Sequence, residues 1–222
     1  MATSKLTLGY WNIRGHAEPA RTLLEYLQLP YENEKFNDNE GWAAKKASFG
    51  ARFANLPYLI DNGKVVTESE AVFAYICLKG GRADMAGKPE DLVEFLQLKG
   101  VVMDVRTGLS RMVYGAKDKE GVKTNVEQTM GTKGAEKFKD LNEILGEKEW
   151  LLGYLTYVDF MLAELLERFT DIDSELGTTV MGNYPNLQAH LKRFLELPGV
   201  KDYRASDRFQ ARPYNMAHAG WV

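Results

Sequence analysis

The 222-residue chain has a single cysteine, Cys77, and three histidines, His16, His190 and His218, set far apart. One cysteine excludes an internal disulfide framework, and so few, scattered ligands build no cysteine- or histidine-rich metal centre, so no metal is expected. Charge of one sign is missing as well: 28 Lys and Arg stand against 31 Asp and Glu, a formal net charge of −3. That excludes the basic footprint needed for nucleic acid or an anionic membrane and favours a small-molecule partner. No apolar run approaches the about 18 residues of a membrane span, and no apolar leader opens the sequence. A cytoplasmic, reducing setting is therefore expected. Internal repeats and low-complexity tracts are also absent. The length suffices for a sizeable core, in one large domain or two small ones.

What is present is a change of pattern along the chain. Leu6, Leu8 and Tyr10 alternate as in a half-buried strand, and Ala20, Leu23, Leu24 and Leu27 recur at helical spacing after Pro19, a residue tolerated in a first helical turn. Tyr31 to Phe36 is a second strand candidate. Tyr58 to Asp61 and Lys64 to Thr67, joined by Asn62-Gly63, carry a strong hairpin signal, and Glu68 to Leu78 reads as a closing helix. The order βαβ then ββα is the thioredoxin-like plan. After Gly80-Gly81 and Lys88-Pro89 the pattern becomes helical only, which places an α/β domain at 1–84 and an all-α domain at 90–222. In the latter, Glu90 to Tyr114 is a long helix candidate. Phe138, Leu141 and Leu145 share a helix face, and Thr156 to Asp159 has capping-box spacing ahead of the apolar helix Phe160 to Leu166. Asn186 to Leu197 reads as a last regular helix, stopped by Pro198-Gly199.

Several residues stand where chemistry could be done. Tyr10 is a phenol at a strand end followed by a turn, a place that suits a ligand but also ordinary packing. Ser69 precedes a helix, where amides and the helix dipole favour an anion; a plain N-cap is the alternative. Trp42 and Lys46 are four residues apart and share a helix face. Met103, Arg106, Ser110 and Tyr114 form one stripe of the long helix, and its polar members favour a partly open cleft over a dry core. Asp104 points about 100° away from Met103, off that stripe.

Tyr10-Trp11, the continuation Glu18-Pro19-Ala20-Arg21, Asn55-Leu56-Pro57 and Thr67-Glu68-Ser69 together resemble the glutathione-binding half of a glutathione S-transferase, and over nearly the whole chain the sequence resembles the mu class. The resemblance implies that Tyr10 is the catalytic tyrosine and that Trp11, Trp42, Lys46, Asn55, Leu56, Pro57, Glu68 and Ser69 bind glutathione. Trp42 and Lys46 would hold the glycyl carboxylate, and Leu56, ahead of a cis Pro57, would pair its backbone with the cysteinyl part. Ser69 would meet the γ-glutamyl carboxylate and Glu68 the γ-glutamyl ammonium. Asp104 would complete the glutathione site of a neighbouring subunit, with Phe53 as the key of a homodimer. Tyr114 would act on the electrophile side, with Ile13, Met103, Arg106, Ser110 and Phe209 as further contacts. Glutathione is then a co-substrate, no cofactor is needed, and the implied activity is conjugation of its thiolate to hydrophobic electrophiles, as in detoxification. The sequence departs from the class in a short Asn37 to Glu40 segment, in His16 for leucine, in Glu68 for glutamine, and in Ala74 and Leu78 for two interface arginines. The competing expectation is a non-catalytic ligand-binding or structural protein of the same fold. A thiol-transfer enzyme would need a cysteine near position 10, for which Cys77 is a poor substitute.

Overall fold

The computed structural model of the protein describes residues 6–222, so residues 1–5 of the expected first domain lie outside the described residues. The first half runs β1 (Leu6–Trp11), α1 (Glu18–Tyr26), β2 (Tyr31–Phe36), α2 (Asn39–Ser48), β3 (Tyr58–Asp61), β4 (Lys64–Thr67) and α3 (Ser69–Lys79). The four strands form one sheet in the order β2-β1-β3-β4, with β1 parallel to β2, and β3 antiparallel to both β1 and β4. This is the thioredoxin-like α/β arrangement that the strand and helix periodicities predict. The β3-β4 turn takes positive φ at both Asn62 (+50°) and Gly63 (+82°), the twist that a two-residue hairpin needs. Leu6, Leu8, Leu23, Leu24, Phe73 and Ile76 are buried in this half.

The second half is helical: α4 (Leu92–Tyr114), α5 (Lys119–Met130), α6 (Lys133–Leu145), α7 (Tyr157–Leu176) and α8 (Pro185–Leu195). Phe138, Leu141 and Leu145 are all buried on the inner face of α6. The start of α7 is built around Asp159, which is fully buried. Its carboxylate accepts from Thr156 N at 2.9 Å, Thr156 Oγ1 at 3.0 Å, Leu151 N at 3.1 Å and His190 Nε2 at 3.1 Å. A carboxylate only accepts, so His190 carries its proton on Nε2. The expected capping box is present. Three of its four bonds go beyond a bare box, because Asp159 also ties α8 and the loop before α7 to the helix start.

Two expectations fail at the C-terminal end. Pro198-Gly199 does not stop the chain's helices; it opens another, α9 (Pro198–Ala205). Proline is favoured in a first helical turn, where no amide donor is needed, and the same residue type therefore serves as stop and start. The division into 1–84 and 90–222 also differs from the structure. The chain forms two compact units, Met1–Ala86 with Pro198–Tyr214, and Gly87–Leu197 with Asn215–Val222. The returning segment is held by specific bonds. Arg14 N donates to Pro213 O at 2.9 Å and Gly15 N to Tyr214 O at 3.1 Å, and Arg208 pairs with Glu25 at 2.9 Å. Gly199 lies so close to α1 that an added Cβ would sit 2.9 Å from Tyr26 Cα.

Candidate active site

Tyr10 is the penultimate residue of β1, with its ring buried. The following turn approaches that ring closely: at Gly15, φ +45°, an added Cβ would lie 2.4 Å from Tyr10 Cε1 and 2.8 Å from its Oη. Only glycine fits this position on both counts. One residue later, His16 N donates to Tyr10 Oη at 3.0 Å. The turn is itself anchored by two buried arginines. Arg21 Nη1 donates to Ile13 O at 3.0 Å and to Glu18 Oε2 at 3.0 Å, and Tyr203 from α9 donates to Glu18 Oε1 at 3.1 Å. Arg14 lies over the Tyr214 ring at 4.5 Å and the Phe209 ring at 5.2 Å. Ile13 is buried in the turn, and Phe209 packs edge-on against Tyr203 at 5.4 Å.

A second group surrounds the start of α3. Leu56–Pro57 is cis, directly before β3. Asn55 Oδ1 accepts from Leu56 N at 2.9 Å, so the amide expected to face a ligand is engaged by the neighbouring side chain. Glu68 occupies φ +67°, ψ +121°, a conformation that costs a non-glycine residue on the order of 1–3 kcal/mol and gathers at ligand clamps. Asn55 Nδ2 reaches its Oε1 at 3.5 Å. Ser69 is the first residue of α3 and Glu68 its N-cap, with no side-chain capping bond. The plain N-cap alternative for Ser69 therefore does not occur, while the helix leaves its first amides without an intrahelical acceptor.

Across α2, Trp42 stacks on Tyr58 at 6.1 Å and meets Phe36 and Phe49 edge-on, and Trp11 meets Phe36 at 6.5 Å. Tyr58 in turn requires Gly9, where an added Cβ would fall 2.0 Å from its Cζ. The two lysines of α2 divide their tasks. Lys45 pairs with Glu34 at 2.8 Å, whereas Lys46 is exposed, lies 6.0 Å from the Trp42 ring, and has no ion pair among the described residues.

In the helical unit, the stripe on α4 is open only in part. Met103 and Ser110 are half-buried and Tyr114 is exposed, but Arg106 is buried, against the expected open cleft. Met216 N donates to Tyr114 Oη at 3.0 Å, and His218 lies 5.4 Å from the Tyr114 ring. Asp104 is exposed and forms an ion pair with Lys137 of the same chain.

Residues 6–77 match the glutathione S-transferase N-terminal domain and residues 103–207 the C-terminal domain. The chain is 35% identical over 218 residues to the glutathione S-transferase class-mu 26 kDa isozyme 1 of Fasciola hepatica, covering 96% of this chain and 92% of that protein. It is 34% identical over 227 residues to human glutathione S-transferase Mu 2, covering 97% and 98%. Among solved structures, the glutathione S-transferase Blo t 8 superposes with a TM-score of 0.77 at 28% identity, over 96% of this chain and 98% of that one. The chain belongs to the glutathione S-transferase family.

For a transferase of this family, sequence reading alone left two donors unassigned. One is the His16 amide behind Tyr10, and the other is the Met216 amide behind Tyr114. Both are backbone groups and have no residue-type signature. The crowding of Gly15 on Tyr10 leaves one faint mark, a glycine five residues after the tyrosine. Burial pushes the Cys77 thiol up to about 12, so it stays protonated at neutral pH and cannot serve as a transferase nucleophile.

Proposed function

We propose that this glutathione transferase ionises the glutathione thiol at Tyr10 and adds the sulfur to apolar electrophiles. A free thiol has a pKa of about 8.5 and is mostly protonated at neutral pH, so the site must favour the anion. The observation that carries the reading is the fixed Tyr10 hydroxyl. Its oxygen accepts from His16 N, which polarises the phenol, and a phenol O–H is a donor that a thiolate sulfur can accept from. A hydrogen bond to a charged acceptor contributes about 1.5–3 kcal/mol, or roughly one to two pKa units in the thiol. Tyr114, polarised in the same way by Met216 N, would donate to electrophiles that develop negative charge, such as epoxides and enones. Conjugation of glutathione with chlorodinitrobenzene tests the activity directly. A rate no higher than the uncatalysed one would sink the proposal.

Glutathione is read as spanning the first unit. Its γ-glutamyl carboxylate meets the N-terminus of α3 at Ser69, its ammonium meets Glu68, and its glycyl carboxylate meets Lys46 beside Trp42. Pairing with Leu56 N requires Asn55 to turn its Oδ1 away. Because both carboxylates are held by charge, added salt weakens binding. Lys46→Ala is expected to raise KM for glutathione about three- to fivefold with kcat unchanged, since an exposed charge contact is alike in ground and transition states. A loss of kcat at constant KM would remove Lys46 from this role.

A homodimer supports the same site. Phe53 (67% exposed), Leu78 (62%) and Val93 (74%) are large apolar side chains left on the surface. Asp104 is read as reaching a partner's glutathione, for which it must share or leave Lys137. Phe53→Ser is expected to yield monomers by sedimentation at micromolar concentration. A monomeric wild type would overturn both the dimer and the shared site.

A further inference from the structure

Lys35 has no role in the reading above, yet it stands beside the catalytic tyrosine. It is the register partner of Tyr10 on the neighbouring parallel strand, so the two side chains leave the same face of the sheet from backbones about 4.8 Å apart. That face adjoins the turn that positions Tyr10. Arg21 donates both to Asn33 Oδ1, two residues before Lys35, at 3.3 Å and to Ile13 O in the turn. The end of β2 is tied to the turn as well, since Asn12 N donates to Phe36 O and Asn12 Nδ2 to Asn37 Oδ1, each at 2.9 Å.

The Lys35 side chain is exposed, and its ammonium is held by a neutral group. Lys35 Nζ donates to Gln210 Oε1 at 2.5 Å and Gln210 Nε2 to Asn12 O at 3.1 Å, so one amide fixes the cation over the residue two past Tyr10. Gln210 directly follows Phe209, an electrophile contact read from the sequence. Lys45 pairs with Glu34, whereas Lys35 has no ion pair among the described residues. Partial burial, and then Arg21, lower the Lys35 pKa from the ordinary lysine value, and the attraction of Glu18 offsets this only in part. A lysine with a counter-ion at hand shifts the other way. An anion arriving here therefore meets a fixed cation whose charge the protein has not neutralised.

We propose that Lys35 is a specificity-determining residue of the conjugation reaction, which selects electrophiles bearing a carboxylate away from the carbon that sulfur attacks. The inference rests on the reading of Tyr10 given above. With a chloronitroarene, the thiolate forms the C–S bond to the ring carbon, chloride leaves with the electron pair of the C–Cl bond, and the thiol proton passes to solvent. The carboxylate takes no part in these bond changes and serves only as a handle.

4-Chloro-3,5-dinitrobenzoate and its methyl ester share a ring and a leaving group and differ in charge, so the acid-to-ester ratio of kcat/KM reads recognition of the carboxylate. In Lys35→Gln this ratio is expected to fall about three- to fivefold, the range of an exposed charge contact. Lys35→Glu should lower it further, Lys35→Arg should hold it within about twofold, and added salt should lower it in the wild type. An unchanged ratio in Lys35→Glu overturns the proposal even if both rates fall, because a merely structural role affects acid and ester alike. The parent reaction with chlorodinitrobenzene keeps the two readings apart. A wild type active on it whose ratio ignores these changes refutes Lys35 alone, whereas a wild type inactive on all three electrophiles refutes the reading of Tyr10 and Lys35 with it.

Discussion

Tyr10→Phe is expected to keep glutathione bound while the thiol pKa of the complex rises by roughly one to two units. The ring, its packing on Gly15 and the contacts of both carboxylates stay in place; only the hydroxyl is removed. Conjugation at about pH 6.5 then falls about 10- to 100-fold, because the fraction of thiolate falls by that factor and each tenfold corresponds to about 1.4 kcal/mol. The thiolate absorbance of bound glutathione, titrated against pH in both proteins, measures the shift directly. Equal titration curves would show that Tyr10 is a packing aromatic and that sulfur is activated by another donor. The His16 amide, now bonded to the phenol oxygen, would be the first group to examine.

The largest loss of stability is expected at Asp159, far along the chain from Tyr10. Asp159→Ala removes the acceptor for Thr156 N, Thr156 Oγ1, Leu151 N and His190 Nε2 at once. These donors remain buried, and leaving one partner of a buried charged network alone costs about 3–5 kcal/mol. The urea midpoint should drop with the slope unchanged, and Tm should fall by about 10 °C. A loss below about 1 kcal/mol would mean that apolar packing of α7, rather than its polar start, fixes the helix. Thr156→Ala should cost less, since it removes one donor and leaves the carboxylate satisfied by the others.

The local part of the fold was legible because it is written in side-chain periodicity and turn chemistry. Leu6, Leu8 and Tyr10 marked β1, Asn62-Gly63 marked the hairpin, and Phe138, Leu141 and Leu145 marked one face of α6. α5 gave no such signal, since Val122 and Val126 are its only buried residues. α9 was hidden by a proline that both ends and begins helices. The return of Pro198–Tyr214 to the first unit was illegible for a different reason: it rests on backbone bonds such as Arg14 N to Pro213 O, which any sequence can make, and on pairs such as Arg208 with Glu25 whose members lie far apart in sequence. The candidate site divides along the same line. Residue types and spacing pointed to Tyr10, Lys46 and Ser69. They gave no hint of the amide behind Tyr10, of the Asn55 side chain covering Leu56 N, or of the lysine that already holds Asp104. Each of these depends on where a neighbouring group ends up in space.

The closing of the first unit by Pro198–Tyr214 has a consequence for the order of synthesis. Residues up to Ala86 leave the ribosome early, carrying every strand of the sheet, yet Tyr203, the acceptor carbonyls of Pro213 and Tyr214, and the Arg208 partner of Glu25 do not yet exist. At about 5–20 residues per second, the nascent sheet waits roughly ten seconds for them. During that interval Glu18 and the turn that positions Tyr10 lack part of their support, and the helical unit in turn awaits its own last segment, Asn215–Val222. The first unit therefore closes only when the last residues of the sequence have been made, and a stop codon anywhere before position 214 is expected to leave it unfinished however intact its own strands are.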